Sequence, residues 1–205
     1  MKKWSWALLI GLLAMVSCTN TEQQAATEPA EDVATEIKLA DTQQAFWDRI
    51  ASHCGKAYEG KFVGTRVPED FEGKELIMYV MTCDENTLKV PFYVGDDHSR
   101  TWVLTKTPDG ILLKHDHRLE DGSDDVGGTM YGGMTQNAGK EHVQFFAADQ
   151  FTADMIDGAE ANLWWITIDD KEYTYNLRRV TTPNHFSVAF DLTNPIETPE
   201  RPWGH

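Results

Sequence analysis

The sequence predicts an all-β, mostly antiparallel domain built as a barrel or a sandwich of about 8–10 short strands. From residue 76 onward, short segments have the period of strands: residues 76–81 are apolar on both faces, as in a buried strand, and residues 88–94 place their apolar residues on one face. Turn sequences such as Pro108-Asp109-Gly110 separate these segments. Neither a Rossmann nor a P-loop motif occurs in the sequence. These observations favour antiparallel strands joined by short turns.

The first 17 residues are predicted to be a lipoprotein signal peptide. Lys2 and Lys3 precede an apolar run over residues 4–16, which is shorter than the ~20 residues of a spanning helix. Small residues end the run at Cys18, and this pattern resembles the lipoprotein cleavage site. The resemblance implies that Cys18 becomes the N-terminus and carries palmitate-type acyl chains. Ordinary cleavage near Ser17 is the alternative.

Residues 18–40 are predicted to be a disordered acidic tether. The segment is polar and holds no aromatic residue, so it cannot bury enough apolar surface to offset its ordering entropy. Thr19, rather than aspartate, follows Cys18. By the same resemblance, we expect the protein in the bacterial cell envelope, lipid-anchored at the outer membrane and facing the periplasm.

The charge of the chain argues against a nucleic-acid partner. It has 18 basic and 33 acidic residues and a net charge of −15, which repels phosphate backbones. We therefore expect contact with the membrane through the N-terminal lipid alone. Residues 41–205 are enough for one hydrophobic core, and they are predicted to form a single β domain.

The two remaining cysteines are predicted to form a disulfide. If Cys18 is acylated, Cys54 and Cys83 are left as a pair in an oxidising compartment. A bridge closing this ~30-residue loop would add about 3–4 kcal/mol to the free energy of unfolding. A reactive thiol or a metal site at Cys54 is the alternative.

Two helices and a series of strands are predicted. Residues 41–55 favour a short helix, with Asp41 or Thr42 as its N-cap and Gly55 at its end. Residues 148–158 favour a second short helix. Pro91 indicates an edge strand or a bulge. The strands are expected at residues 76–81, 88–94, 99–106, 111–119, 163–168, 173–179 and 186–192.

The segment Ile111–Glu120 contains the main candidate site. In a strand, His115 and His117 continue the inward apolar line, about 6.6–7 Å apart, while the charged residues between them face solvent. Inward histidines need hydrogen-bond partners. They could be structural, they could be polar groups in a binding cavity, or they could bind a divalent metal together. No spacing selects a third metal ligand.

Several motifs resemble those of a family of uncharacterised bacterial secreted proteins and lipoproteins. The match extends over about residues 46–204, and it implies an exported single domain without supplying catalytic residues. Leu119 stands where the family pattern has another histidine, which weakens the metal hypothesis. The motifs are Cys54–Gly60, Pro91–Trp102, Leu113–Arg118, Glu120–Gly122, Tyr131–Gly133 and Pro202–Gly204.

The sequence therefore predicts an envelope lipoprotein whose β domain binds a small ligand without catalysis, resembling lipocalin-like barrels. The candidate ligand contacts are His115, His117, Arg100 and Tyr131. A metal-dependent enzyme or metal-binding protein that uses His115 and His117 is the first alternative. A structural envelope protein without a ligand is the second. The identity of the ligand and the oligomeric state do not follow from the sequence.

Overall fold

The structure is a computed structural model that describes residues 37–205, so the predicted signal peptide, Cys18 and most of the predicted tether lie outside the described residues. Eleven antiparallel strands form one sheet. Each strand is hydrogen-bonded to its neighbours in the order β2-β1-β11-β10-β9-β8-β7-β6-β5-β4-β3. The strands are β1 Ala57–Phe62, β2 Leu76–Tyr79, β3 Thr82–Cys83, β4 Thr87–Val94, β5 Asp97–Thr107, β6 Gly110–His117, β7 Tyr131–Thr135, β8 Val143–Ala148, β9 Asn162–Ile168, β10 Glu172–Arg179 and β11 His185–Ile196.

The sheet closes on itself as a barrel. Strand β2 pairs with β4 as well as with β1, so ten strands form a closed ring and β3 lies outside it as an extra strand. From β4 to β11, each strand pairs with the next one in the chain, as in an up-and-down barrel. The prediction of an all-β antiparallel fold with a short helix is confirmed, and the barrel is the correct choice over the sandwich.

The sequence predicts an edge strand or a bulge at Pro91. Strand β4 is an interior strand, so the edge strand is wrong, whereas a register irregularity close to Pro91 agrees with the bulge. On one side β4 pairs with β3 through Leu88 and Lys89, and then with β2 from Phe92 onward. Pro91 lies in the gap between these two partners, where no ladder hydrogen bond is required of its nitrogen. The irregularity of the β4–β5 register lies between Phe92 and Val94.

Strands β1, β3, β7 and β8 were not predicted from the sequence. Strand β7 includes Gly132 and Gly133, whose sequence favours a bend rather than a strand. A Cβ atom on Gly133 would lie 1.6 Å from the carbonyl oxygen of Ala147, and one on Gly132 would lie 2.0 Å from that of Leu113. Close approach to both neighbouring strands therefore requires glycine at these two positions.

Helix α1, Asp41–Ala51, packs against one end of the barrel. Its N-cap is Ala40 rather than Asp41 or Thr42, and the Gln43 side chain accepts a hydrogen bond from the Ala40 N–H. Gln43 also donates to the Thr135 hydroxyl at the end of β7, over 2.9 Å. The side chains of Phe46, Trp47 and Ile50 join the buried core. This end of the barrel is therefore closed by the helix.

The predicted disulfide is present. The bond between Cys54 and Cys83 connects the segment after α1 to β3 and spans 29 positions of sequence. The second predicted helix is the shorter α2, Gln150–Met155, and the side chain of Asp149 caps it by accepting from the Thr152 N–H. No helix among residues 37–205 is long and apolar enough to cross a membrane.

The outer face of β6 is not solvated, contrary to the prediction. The C-terminal segment after β11 crosses the outside of the barrel, and the indole of Trp203 stacks on the His98 ring with 6.3 Å between centroids. Beneath this segment, Asp116 is 5% exposed. Its carboxylate accepts hydrogen bonds from Arg118 over 2.7 and 3.1 Å, and Nε2 of His205 lies 3.3 Å away.

Candidate functional site

A small cavity lies inside the barrel, toward the end opposite α1. Its volume is about 130 Å³. The strands at this end are joined by the β4–β5 and β10–β11 turns and by the longer β1–β2 and β6–β7 loops. All four predicted ligand contacts, Arg100, His115, His117 and Tyr131, line this cavity. The register explains this: in the β5–β6 pair Arg100 is opposite His117 and Trp102 is opposite His115, and in the β6–β7 pair Tyr131 is opposite His115.

Stacked aromatic rings form most of the cavity wall. The indole of Trp102 lies between the rings of Phe92 and Tyr175, with centroid distances of 4.9 and 4.2 Å and interplanar angles of 16° and 14°. Phe186 and Leu177 complete the apolar lining. These rings are already stacked on one another, so a ligand meets the parts of their surfaces that line the cavity, and this lining suits an apolar group.

His115 is a structural residue of the cavity floor. It is 2% exposed and lies parallel to the Tyr131 ring at 4.3 Å. Its Nδ1 is 3.0 Å from the Tyr131 carbonyl oxygen, which can only accept, so Nδ1 carries the hydrogen. Nε2 therefore accepts from the Tyr175 hydroxyl at 2.6 Å. Burial lowers the pKa of His115 to about 3, so the ring is neutral at neutral pH.

His117 contacts the open part of the cavity. Its Nε2 lies 3.2 Å from the Tyr131 hydroxyl, and its side chain is partly exposed. Burial, followed by the positive charge of Arg100, lowers the pKa of His117 below its ordinary value, although nearby carboxylates such as Asp125 oppose this shift. His117 is therefore the neutral hydrogen-bonding group that the cavity offers to a ligand.

Arg100 and Tyr131 complete the polar part of the lining. The Arg100 guanidinium pairs with Asp97 at 2.5 Å and with Asp70 at 3.7 Å, and its carbon lies 5.4 Å from the centroid of Phe71. Two carboxylates thus compensate this charge. Burial raises the pKa of Tyr131 to about 12, so its phenol stays protonated and serves as a hydrogen-bond donor or acceptor.

The geometry does not favour the metal hypothesis for His115 and His117. Both ring nitrogens of His115 are occupied by protein hydrogen bonds, so its lone pair is not directed into the cavity. Among residues 37–205, no three histidine, cysteine, aspartate or glutamate side chains are arranged to hold a metal ion. A metal site usually needs three or four such ligands.

The sequence analysis missed the aromatic part of the site. Tyr175 and Leu177 lie on the inward face of β10, and the alternation of that strand was a sufficient signal for their orientation. The contact between Tyr175 and His115 joins residues 60 positions apart, and no local pattern predicts it. Phe92 and Trp102 could be placed in the interior, but not beside a cavity.

Comparisons with known proteins identify no relative: the chain matches no family model, no curated protein and no solved structure. The resemblance to secreted bacterial proteins therefore stays a prediction. The functional argument rests on the geometry of the cavity.

Proposed function

We propose that this protein is a non-catalytic binding protein whose barrel takes up a flat apolar group of a small molecule. The observation that supports it is the cavity lined by aromatic rings, with His117 as a neutral polar group at its side. Ligand sites commonly combine an apolar lining with a few directed polar groups. His115, which hydrogen-bonds on both sides, fixes the wall and leaves His117 to contact the ligand.

The size of the cavity restricts the ligand. Drug-sized ligands occupy cavities of about 300–1,000 Å³, whereas a cavity of about 150 Å³ accepts benzene. At about 130 Å³, this cavity has room for a single ring or a branched group of similar size. The remainder of a larger ligand would extend from the open end of the barrel.

Calorimetric titration with 4-phenylbutan-1-ol, a neutral probe with one ring, tests this proposal. The full chain carrying Cys18→Ser removes the predicted acylation site. We expect saturable binding, and Leu177→Trp should weaken it by more than about tenfold because the indole fills the cavity. Leu163→Trp is the matched control, since Leu163 alternates with buried Trp164 on the opposite face of β9. Circular dichroism checks that both variants fold, with Leu177→Phe as a milder replacement.

Absence of saturable binding to the folded protein would count against the proposal. Equal weakening by Leu177→Trp and Leu163→Trp would also count against it, because only the first of these side chains lines the cavity. No loss of affinity in either variant would place the probe outside the barrel.

We also propose that acylated Cys18 anchors the protein in the bacterial cell envelope, facing the periplasm. The sequence before Cys18 supports this, and so does the Cys54–Cys83 disulfide, because such bonds persist in oxidising compartments. Metabolic labelling with palmitate should mark the wild-type chain and leave Cys18→Ala unlabelled. Equal labelling of both chains would rule out this anchor.

A further inference from the structure

The cavity described above, lined by Phe92, Trp102 and Tyr175, is called the aromatic cavity from here on. A second, wider concavity adjoins it at the same end of the barrel. It measures about 390 Å³, and Leu177 and Phe186 form a wall common to both. A ligand whose ring occupies the cavity would therefore reach this space by passing over these two side chains. We call it the arginine groove, after Arg66 and Arg179, which line it.

The fold positions Arg179 through its side chain and Arg66 through the backbone of its loop. Arg179 is the last residue of β10, and it continues the inward alternation of Tyr175 and Leu177. Its Nε–H donates to the side-chain oxygen of Asn162, its partner in β9, at 3.3 Å. Arg66 follows Thr65, whose N–H donates to the His185 carbonyl oxygen at 3.1 Å, so the β1–β2 loop is attached to the start of β11.

The charge of the arginine groove is opposite to that of the protein. The chain has 33 acidic and 18 basic residues, yet no aspartate or glutamate lines this groove. Within the described part of the chain, neither Arg66 nor Arg179 forms an ion pair. Arg100, in contrast, is compensated by two carboxylates, so it does not provide the same attraction for an anion.

A different groove on the barrel shows that this charge separation is local. Strands β1 and β11 and the β9–β10 turn line a concavity of about 570 Å³ in which both signs of charge occur. There, Lys61 and Lys171 line the same surface as Glu59, Glu172 and Asp191. A mixed surface of this kind is typical of a solvated protein exterior.

We infer that the ligand of the aromatic cavity carries an anionic group, and that Arg66 and Arg179 bind this group in the arginine groove. The inference rests on the proposed binding function and adds the chemical class of the ligand. Guanidinium groups bind carboxylate, sulfonate and phosphate oxygens through paired N–H donors, so any of these groups suits the site. A ring joined to the anion by a short chain would span the cavity and the groove.

Two probes of equal chain length that differ in their terminal group test the inference: the anionic 4-phenylbutyrate and the neutral 4-phenylbutan-1-ol, titrated into the full chain carrying Cys18→Ser. We expect the carboxylate to bind about tenfold or more tightly than the alcohol, because hydrogen bonds to charged groups are the stronger ones. The difference should shrink as salt is added. A third probe, 4-phenylbutyl phosphate, shows whether phosphate or carboxylate is preferred.

Glutamine substitutions locate the anion. Arg66→Gln and Arg179→Gln should each reduce the preference for the carboxylate over the alcohol several-fold. Arg178→Gln is the matched control, because it removes the same charge from the exposed neighbour on β10. It should leave the preference intact.

The outcomes separate this inference from the proposed function. Equal affinity for the alcohol and the carboxylate would overturn the anionic class while leaving a binding cavity. A preference that Arg178→Gln reduces as much as Arg179→Gln would show a general charge effect and overturn the arginine groove as the site. If neither probe binds, the proposed function fails, and the inference fails with it.

Discussion

The hydroxyl of Tyr175 donates a hydrogen bond to Nε2 of His115 across the interior of the barrel, with 2.6 Å between the two atoms. The bond joins β10 to β6, which are not neighbours in the sheet. Because the Nδ1–H of His115 is directed at the Tyr131 carbonyl oxygen, the ring is held on both sides. This arrangement gives the cavity a fixed wall before any ligand binds.

Removing this hydroxyl should destabilise the fold. In Tyr175→Phe, Nε2 of His115 remains buried without a donor, and we expect the free energy of unfolding to fall by about 1–3 kcal/mol. Tyr173→Phe is the control, since the Tyr173 hydroxyl is buried with no partner among residues 37–205. This second change should be neutral or slightly stabilising. Urea unfolding of both variants measures the difference, and equal losses would argue against a special role for Tyr175.

The stability of the protein should fall as the pH is lowered from 7. The pKa of His115 is about 3 in the folded state and 6.5 when exposed, so the unfolded chain binds the proton first. The contribution of His115 is therefore fully present above pH 6.5 and is lost progressively down to pH 3. The expected slope is about 1.4 kcal/mol per pH unit for this one group.

Denaturant unfolding between about pH 5 and 7 measures this slope, because the buried carboxylates titrate at lower pH. His117 and His53, whose pKa values burial also lowers, contribute to the slope in the same direction. His115→Gln should make this slope shallower by the contribution of one proton. An unchanged slope in His115→Gln would contradict this prediction, because it would mean that the ring binds protons equally in the folded and unfolded states.

Two carboxylates that bind the same arginine should differ in importance. Asp116, whose side chain is 6% exposed, accepts from Nε and Nη2 of Arg118, whereas Asp124, which pairs with Nη1, is 58% exposed. Burial alone would raise the pKa of Asp116, but the nearby His205 ring and the hydrogen bonds from Arg118 lower it well below its usual range. We expect Asp116→Asn to cost about 1.5–3 kcal/mol and Asp124→Asn less than about 1 kcal/mol.

Thermal and urea unfolding of these two variants test the attachment of the C-terminal segment. Because Asp116 also faces His205, Asp116→Asn should increase proteolysis of residues 197–205, which Asp124→Asn should leave unchanged. Similar stability and similar cleavage in the two variants would show that the buried carboxylate does not hold this segment.

Loss of the disulfide should lower stability without changing the barrel. For a loop of this length, the chain-entropy model gives a loss of about 3–4 kcal/mol in Cys54→Ala/Cys83→Ala. A reductant should lower the unfolding midpoint of the wild type toward that of the double variant and leave the variant itself unaffected. A midpoint of the wild type that is insensitive to complete reduction would contradict this prediction.

Much of the candidate site was predictable, because local alternation sets the direction of a side chain in a strand. His115 and His117 face inward as β6 predicts, and Arg100 meets His117 through the hairpin register. Alternation could not show that β7 exists, since Gly132 and Gly133 have no side chains to alternate. It also could not show that Asp116 is buried, because the C-terminal segment that covers it comes from a distant part of the chain.

The sequence by itself determined the all-β class, the first helix, the disulfide pair and the inward direction of both histidines. These features depend on local periodicity, turn residues and the number of cysteines. Only the tertiary structure decided that the sheet closes through the pairing of β2 with β4. It also decided that the Tyr175 hydroxyl hydrogen-bonds to Nε2 of His115 and that His117 lines the cavity. Closure and burial depend on contacts between residues far apart in sequence, and no local pattern encodes such contacts.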